Sequence, residues 1–260
     1  MITLRTFYSD PHNKHSLVLL HAFPLSSLMF ESAAAVIAGN APSYNIILVD
    51  FPGFGEAPVE KQWTLGGAMT ELHNKLSEAG IAEPVIGGLS MGGYAAFAYY
   101  RLYQNEVKAL ILSNTKAEAD TDDAKKGREE LAKDVEGRGV EAVYEKLLPK
   151  LVSDSSKKND TNIIPKLKRW IAAFPAAAIA SGSRALALRD ESSDLLEIIS
   201  CPTLLITGED DALIKDEVME AMAAKIKGSK FISFTKSGHL TAVEYPEKWG
   251  SVVSSFLNVI

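Results

Sequence analysis

Short apolar runs alternate along the chain with stretches of helical periodicity. Most runs are rich in Val, Ile, Leu and Phe and are bounded by Gly, Pro or Asp. Such runs are typical of strands buried on both faces of a parallel sheet. We therefore predict an α/β fold with a mostly parallel, seven- or eight-stranded sheet flanked by helices. The predicted strands are residues 2–8, 16–20, 45–49, 84–87, 107–113, 203–207 and 230–234.

The strand signal disappears between residues 116 and 194, where the sequence becomes charged and helix-forming. Apolar residues there recur at helical rather than alternating spacing. We predict a helical insertion, a cap or lid, over 116–194, and a core formed by 1–115 and 195–260. The helices predicted within the insertion are residues 122–136, 140–151, 163–174 and 176–188.

Composition narrows the range of functions. The 260 residues are 47% hydrophobic, enough for a single domain with a sizeable core. A net charge of −6 without a basic stripe argues against binding to nucleic acid. No apolar run approaches the ~18 residues of a membrane span, so we expect no membrane contact and a cytoplasmic location. We predict a packed structural thiol at the lone Cys201 and, from the Cys and His spacing, neither a metal nor another cofactor.

The clearest chemical motif is Gly88-Leu89-Ser90-Met91-Gly92, which lies between a predicted strand and a predicted helix. In that setting a G-x-S-x-G serine stands on a strained turn, and the glycines let neighbouring backbone approach it. The amides that open the helix favour negative charge beside the serine. Ser90 is therefore our candidate nucleophile.

A serine nucleophile needs a base and an acid that orients the base. His239 is the best placed of the five histidines, on a loop just after the strand 230–234. For the acid we choose Asp211, on the loop after the strand 203–207. Glu209 and Asp210 remain rivals, since spacing does not decide which adjacent carboxylate points inward.

The chemistry also needs amide donors for an oxyanion. Met91 follows the serine directly, and the loop after the strand 16–20 offers the amide of Phe23, because Pro24 has none. We interpret His21 on that same loop as a residue that braces it rather than as the base.

Together these segments resemble the α/β-hydrolase family, whose fold has the chain order Ser, Asp, His. One departure is Ala22, where relatives usually carry glycine. Some relatives carry the acid one strand earlier, but here that position reads Ser113-Asn114-Thr115, so the resemblance favours Asp211. The matching segments are 21–24, 50–55, 88–93, 208–211, and Gly238-His239 followed by Glu244-x-Pro246-Glu247.

The resemblance implies a serine hydrolase, similar to carboxylesterases and 3-oxoadipate enol-lactonases, with the cap inserted after the sixth strand of the family's sheet. Its partner would be a small-molecule ester or lactone; the sequence leaves the oligomeric state open. Arginines that could face an anionic substrate are Arg128, Arg169 and Arg184. The expected substrate-lining residues are Leu25, Tyr144, Trp170, Phe174 and Leu240.

Other functions remain open because one scaffold hosts many chemistries. A carbon–carbon bond hydrolase, a thioesterase or a perhydrolase would use the same three residues. A haloalkane dehalogenase is excluded, since its nucleophile is a carboxylate and not Ser90. The alternative of another class is a slow-turnover sensor that binds a small ligand through movement of the cap.

Overall fold

A computed structural model describes all 260 residues, and its seven strands form one sheet. The predicted strands are all present, with ends shifted by at most two residues. The strands are β1 (Thr3–Tyr8), β2 (His15–Leu20), β3 (Tyr44–Asp50), β4 (Val85–Leu89), β5 (Ala109–Ser113), β6 (Thr203–Gly208) and β7 (Lys230–Phe234).

The sheet has the strand order β1-β3-β2-β4-β5-β6-β7. Only β1 runs antiparallel to its neighbour, and every other pair is parallel. Strands β4 and β5 are buried at every position, as expected for central strands covered on both faces. The carboxyl ends of β2, β4, β5 and β6 meet at one edge, where open α/β sheets place their ligands. The prediction of a mostly parallel sheet is confirmed.

Eleven α-helices flank or extend from the sheet. They are α1 (Glu31–Asn40), α2 (Leu65–Glu78), α3 (Met91–Tyr103), α4 (Asp122–Arg138), α5 (Glu141–Lys146), α6 (Asp154–Asn159), α7 (Ile163–Ala172), α8 (Ala176–Ala187), α9 (Asp216–Lys225), α10 (Thr241–Glu244) and α11 (Pro246–Leu257). No helix is both long and apolar enough to cross a membrane.

Helices α4 to α8 follow one another between β5 and β6, in the predicted helical segment. Helix α4 packs along α8, and Arg184 of α8 forms ion pairs with Glu129 and Glu136 of α4. Helix α6 was not predicted, and the helix predicted over 140–151 is shorter. The six residues of α6 lack apolar periodicity; the helix begins where the Ser153 hydroxyl accepts a hydrogen bond from the Ser156 amide.

Candidate active site

Ser90 lies on the turn between β4 and α3, with φ 56° and ψ −111°. A residue with a side chain is strained at this positive φ. The turn is close-packed: a Cβ at Gly88 would overlap the backbone of Gly92, and one at Gly92 would overlap Leu20. The Ser90 amide donates to the carbonyl oxygen of Ser113 at 2.8 Å, which ties the turn to β5. Both glycines therefore permit the conformation that presents Ser90.

His239 and Asp211 form a buried pair beside this turn. The His239 Nδ1–H donates to Asp211 Oδ2 at 2.8 Å, and both side chains are almost inaccessible. Asp211 Oδ1 accepts the amides of Leu213 and Ile214 at 2.8 and 3.0 Å. Burial by itself raises the pKa of Asp211, but its interactions with His239 and its other hydrogen bonds outweigh burial and lower that pKa. Asp211 is therefore ionised at neutral pH.

The structure separates Asp211 from its two rivals. Glu209 and Asp210 are exposed on the same loop, whereas Asp211 is buried and contacts the histidine. His239 Nε2, the ring nitrogen that does not face the carboxylate, forms no hydrogen bond within the protein. His239 also lines a cavity together with Ser90.

Asn114 completes the surroundings of the acid. It follows β5 with φ 46°, and its Nδ2 donates to Asp211 Oδ2 at 3.0 Å, the same oxygen that accepts from His239. Thr241 donates through its hydroxyl to Asn114 Oδ1 at 2.7 Å and thereby orients the amide. Sequence reasoning noted Asn114 only as a position without a carboxylate. The sequence feature that could have identified it is an Asn directly after a strand, since Asn tolerates the left-handed region of backbone conformation.

The two predicted oxyanion donors lie on a loop and at the start of a helix, at this edge of the sheet. Phe23 follows β2, and its backbone amide donates to no protein acceptor. Met91 opens α3, and the first amides of a helix have no acceptor within that helix. Phe23 also lines the cavity that contains Ser90. Two free amides beside a serine are the arrangement that an oxyanion requires.

His21 braces the Phe23 loop, as the sequence led us to expect. Its Nδ1–H donates to the Ala22 carbonyl oxygen at 2.9 Å, and its Nε2 accepts from the Phe51 amide at 3.1 Å. Burial lowers the pKa of His21 to about 4, against the opposing effects of Asp50 and the Ala22 carbonyl. A neutral ring with both nitrogens occupied does not serve as a base.

The protein-family model for the alpha/beta hydrolase fold matches residues 15–246, which are most of the chain. The chain belongs to the alpha/beta hydrolase fold family. Among solved structures, this hydrolase is similar to a thermophilic esterase from Thermogutta terrifontis in a malate-bound form. The two are 32% identical with a TM-score of 0.92, over 99% of this chain and 93% of that one.

Two further relatives extend the comparison. The 3-oxoadipate enol-lactonase 1 of Acinetobacter baylyi is 26% identical over 259 residues, which span 99% of this hydrolase and 94% of the relative. The enol-lactonase of Burkholderia xenovorans has a TM-score of 0.89 over 99% of this chain and 96% of its own. At 18% identity, that structure shows the fold alone. The predicted family and fold are confirmed.

The cavity beside Ser90 has a volume of about 170 Å³. Its apolar wall comes from both the helical segment and the core. At ~30 Å³ for each water molecule, this volume corresponds to roughly six waters. The lining residues are Phe23, Ser90, Tyr94, Lys116, Asp120, Arg128, Leu147, Leu186, Leu213, Ile214 and His239.

None of the five expected substrate-lining residues lies on this cavity. Leu25 and Leu240 are fully buried in the core, and the Tyr144 hydroxyl donates to the Lys168 carbonyl oxygen at 2.9 Å. Trp170 and Phe174 line a different cavity, of about 250 Å³. Helical periodicity identified apolar residues but not the layer against which each one packs.

The three arginines that we expected to face an anionic substrate also lie in different places. Arg128 lines the cavity of Ser90, and Arg169 lines the cavity of Trp170. Arg184 is engaged in the ion pairs between α4 and α8. Lys116, which sequence reasoning did not select, also lines the Ser90 cavity.

The structure contains no group of three or more His, Cys, Asp or Glu side chains that could hold a metal. Cys201 lies at the entry to β6, away from the cavity of Ser90. Burial raises the pKa of its thiol to about 11, so the reactive thiolate is scarce at neutral pH.

Proposed function

We propose that this protein is a serine hydrolase that cleaves a small carboxylic ester or lactone through an acyl-enzyme. The observation that carries the proposal is the buried hydrogen bond between His239 and Asp211 beside the strained Ser90 turn. Relatives named esterase, lipase and enol-lactonase support ester bonds as the target.

In the first step Ser90 Oγ attacks the carbonyl carbon and His239 Nε2 takes the hydroxyl proton. Asp211 keeps the histidine in the Nδ1–H form and stabilises its charged state. The carbonyl oxygen gains negative charge and accepts from the amides of Phe23 and Met91. The bond to the leaving alkoxide then breaks, and His239 returns the proton to that oxygen.

In the second step water attacks the acyl carbon while His239 Nε2 accepts a water proton. The bond to Ser90 Oγ breaks, the proton returns to that oxygen, and the product acid leaves. A lactone follows the same course, with the leaving alkoxide still attached to the acyl chain.

We also propose that residues 116–194 act as a cap on a core formed by 1–115 and 195–260. The support is that Leu147 and Leu186 of this segment line the cavity that contains Ser90. A cap in this place excludes water and limits substrate length.

The proposal is tested by hydrolysis of p-nitrophenyl esters from acetate to decanoate. We expect the highest kcat/KM for the shortest acyl chains, because the cavity is small. Ser90→Ala should lower kcat by at least about a thousandfold, whereas Ser255→Ala, an exposed serine on α11, should match the wild type. Equal turnover by Ser90→Ala would show that Ser90 is not the nucleophile.

A further inference from the structure

Two positively charged side chains with unused hydrogen-bond donors line the cavity beside Ser90. Lys116 lines it and forms neither an ion pair nor a hydrogen bond with the protein. Arg128 also lines it and uses only its Nε, which donates to Asp120 Oδ2 at 3.1 Å. The two Nη groups of Arg128 donate to no protein atom. Five N–H donors in a planar fork suit a carboxylate, and here most of them are free.

Asp120 does not fully neutralise these two cations, because it also pairs with a third cation, Arg189. Its Oδ1 forms an ion pair with Arg189 at 2.7 Å, while its Oδ2 accepts from Arg128. Arg189 is nearly inaccessible, lies over the ring of Tyr94 at 4.2 Å, and donates to the Glu118 carbonyl oxygen. Burial raises the pKa of Asp120, but the two arginines outweigh burial and lower it. Asp120 therefore stays ionised and orients the arginines.

Two cations and one carboxylate thus line the cavity. The cations are Lys116 and Arg128, and the carboxylate is Asp120, which also forms the buried ion pair with Arg189. The remaining lining groups are apolar or neutral apart from His239, which the proposed reaction uses. A substrate that brings one negative charge would balance this set.

We propose that Lys116 and Arg128 form a subsite for a carboxylate on the substrate, so that the preferred substrate is a small anionic ester or lactone, such as the half-ester of a short dicarboxylic acid. This inference rests on the proposed function, since it names the substrate class of the same cavity. The cavity has room for such a molecule. Charge-assisted hydrogen bonds in a partly dry cavity are strong enough to discriminate against a neutral analogue.

The test compares esters that differ in charge and little else. Monomethyl succinate is paired with methyl 4-amino-4-oxobutanoate, in which an amide replaces the carboxylate. Acetoxyacetate and acetoxyacetamide form a second pair, with the charge on the leaving side of the ester. In at least one pair, we expect the kcat/KM of the anion to exceed that of the amide by about tenfold or more at low salt. The ratio should fall at high salt.

Variants assign the preference to particular side chains. Lys116→Gln and Arg128→Gln should each lower the anion-to-amide ratio about fivefold or more. Asp120 keeps its bond to Arg189 in the second variant. The controls are Lys126→Gln and Arg138→Gln, which remove the same charges from exposed positions on α4. A variant that is only misfolded lowers both rates and leaves the ratio unchanged.

A wild-type ratio near one in both pairs would overturn the subsite, as would an equal ratio in the Lys116 and Lys126 variants. Failure of the proposed function looks different, because then neither the anion nor the amide is cleaved. In that case the subsite is still tested by calorimetric titration with succinate. Binding that is lost in Lys116→Gln and kept in Lys126→Gln supports it, and absence of binding to the wild type refutes it.

Discussion

A single amide side chain helps to stabilise the negative charge beside the proposed base. Asn114 donates to the same Asp211 oxygen that accepts from His239, and Thr241 prevents the amide from turning over by donating to its oxygen. A donor at this point stabilises the ionised carboxylate, in agreement with the lowered pKa of Asp211. Asn114 is a positioning residue in this account, because it acts through the acid.

Asn114→Asp is the most direct variant of this contact. A second carboxylate about 3 Å from Asp211 would raise the pKa of that acid, since like charges disfavour ionisation. We expect kcat to fall about tenfold at pH 7 and the acidic limb of the kcat/KM profile to move to higher pH. Asn258→Asp, at an exposed position whose side chain bonds only the Asn40 carbonyl oxygen, adds the same charge and should leave the profile in place. An unmoved acidic limb in Asn114→Asp would remove Asn114 from the catalytic arrangement.

The sequence identified some of these residues and not others for physical reasons. Ser90 lies within a G-x-S-x-G motif and His239 follows Gly238, and each motif comes shortly after an apolar run, which is local information. The choice among three adjacent carboxylates depended on which one is buried, and only packing decides that. Asn114 and Lys116 were missed because their partners or neighbours are distant in sequence; Asn114 and Asp211 are 97 positions apart.

At the scale of elements, the loop that holds His239 is joined to the helical segment. Glu244, in α10, accepts the amide of Gly238 and also the amide of Ser153 and the hydroxyl of Ser156. A Cβ on Gly238 would overlap the backbone of Ser153, so the two segments are in direct contact. Movement of the proposed cap near α6 would therefore also disturb the histidine loop.

Removal of the Glu244 carboxylate tests this connection. Glu244→Ala leaves partly buried donors unpaired, so we expect kcat to fall about tenfold and the melting temperature to fall by several degrees. Hydrogen exchange should become faster in residues 150–156 and 236–240 together. Glu247→Ala, an exposed acidic residue of α11, is the matched control. Faster exchange in only one of the two segments would show that Glu244 does not couple them.

Secondary structure was more predictable than the placement of helices. The strands followed from apolar runs, because a central strand must be apolar on both faces. The helices of residues 116–194 were predicted from composition, yet Tyr144, Trp170 and Phe174 pack away from the cavity of Ser90. An amphipathic pattern shows that a helix has a buried face, but not which element covers it.

At the scale of the whole molecule, several buried groups make stability depend on pH in one direction. His21 has its pKa lowered from 6.5 to about 4, and Asp120 and Asp211 have lowered pKa values as well. Each group binds protons less readily in the folded than in the unfolded state. Acidification therefore favours unfolding, first through His21 and then, at lower pH, through the two carboxylates.

As the pH falls, protonation of His21 should account for most of the first loss of stability. Its contribution to stability is complete above pH 6.5 and is lost as the pH falls towards about 4. In that range the histidine is protonated in the unfolded state but stays neutral in the folded state. We expect the free energy of unfolding to fall by roughly 2–3 kcal/mol over that window. Urea unfolding at successive pH values measures the slope. His21→Gln should flatten it, whereas His12→Gln, in an exposed turn, should not.

In the proposed mechanism, Ser90 is a nucleophile activated by His239 and Asp211. The most direct measurement is mass spectrometry of the protein after reaction with a fluorophosphonate, in which the serine oxygen displaces fluoride and His239 takes the hydroxyl proton. We predict one adduct per chain, on the peptide that contains Ser90, no adduct in Ser90→Ala, and labelling at least about a hundredfold slower in His239→Gln. A folded wild type that stays unlabelled, or a label on another residue that persists in Ser90→Ala, would contradict the account.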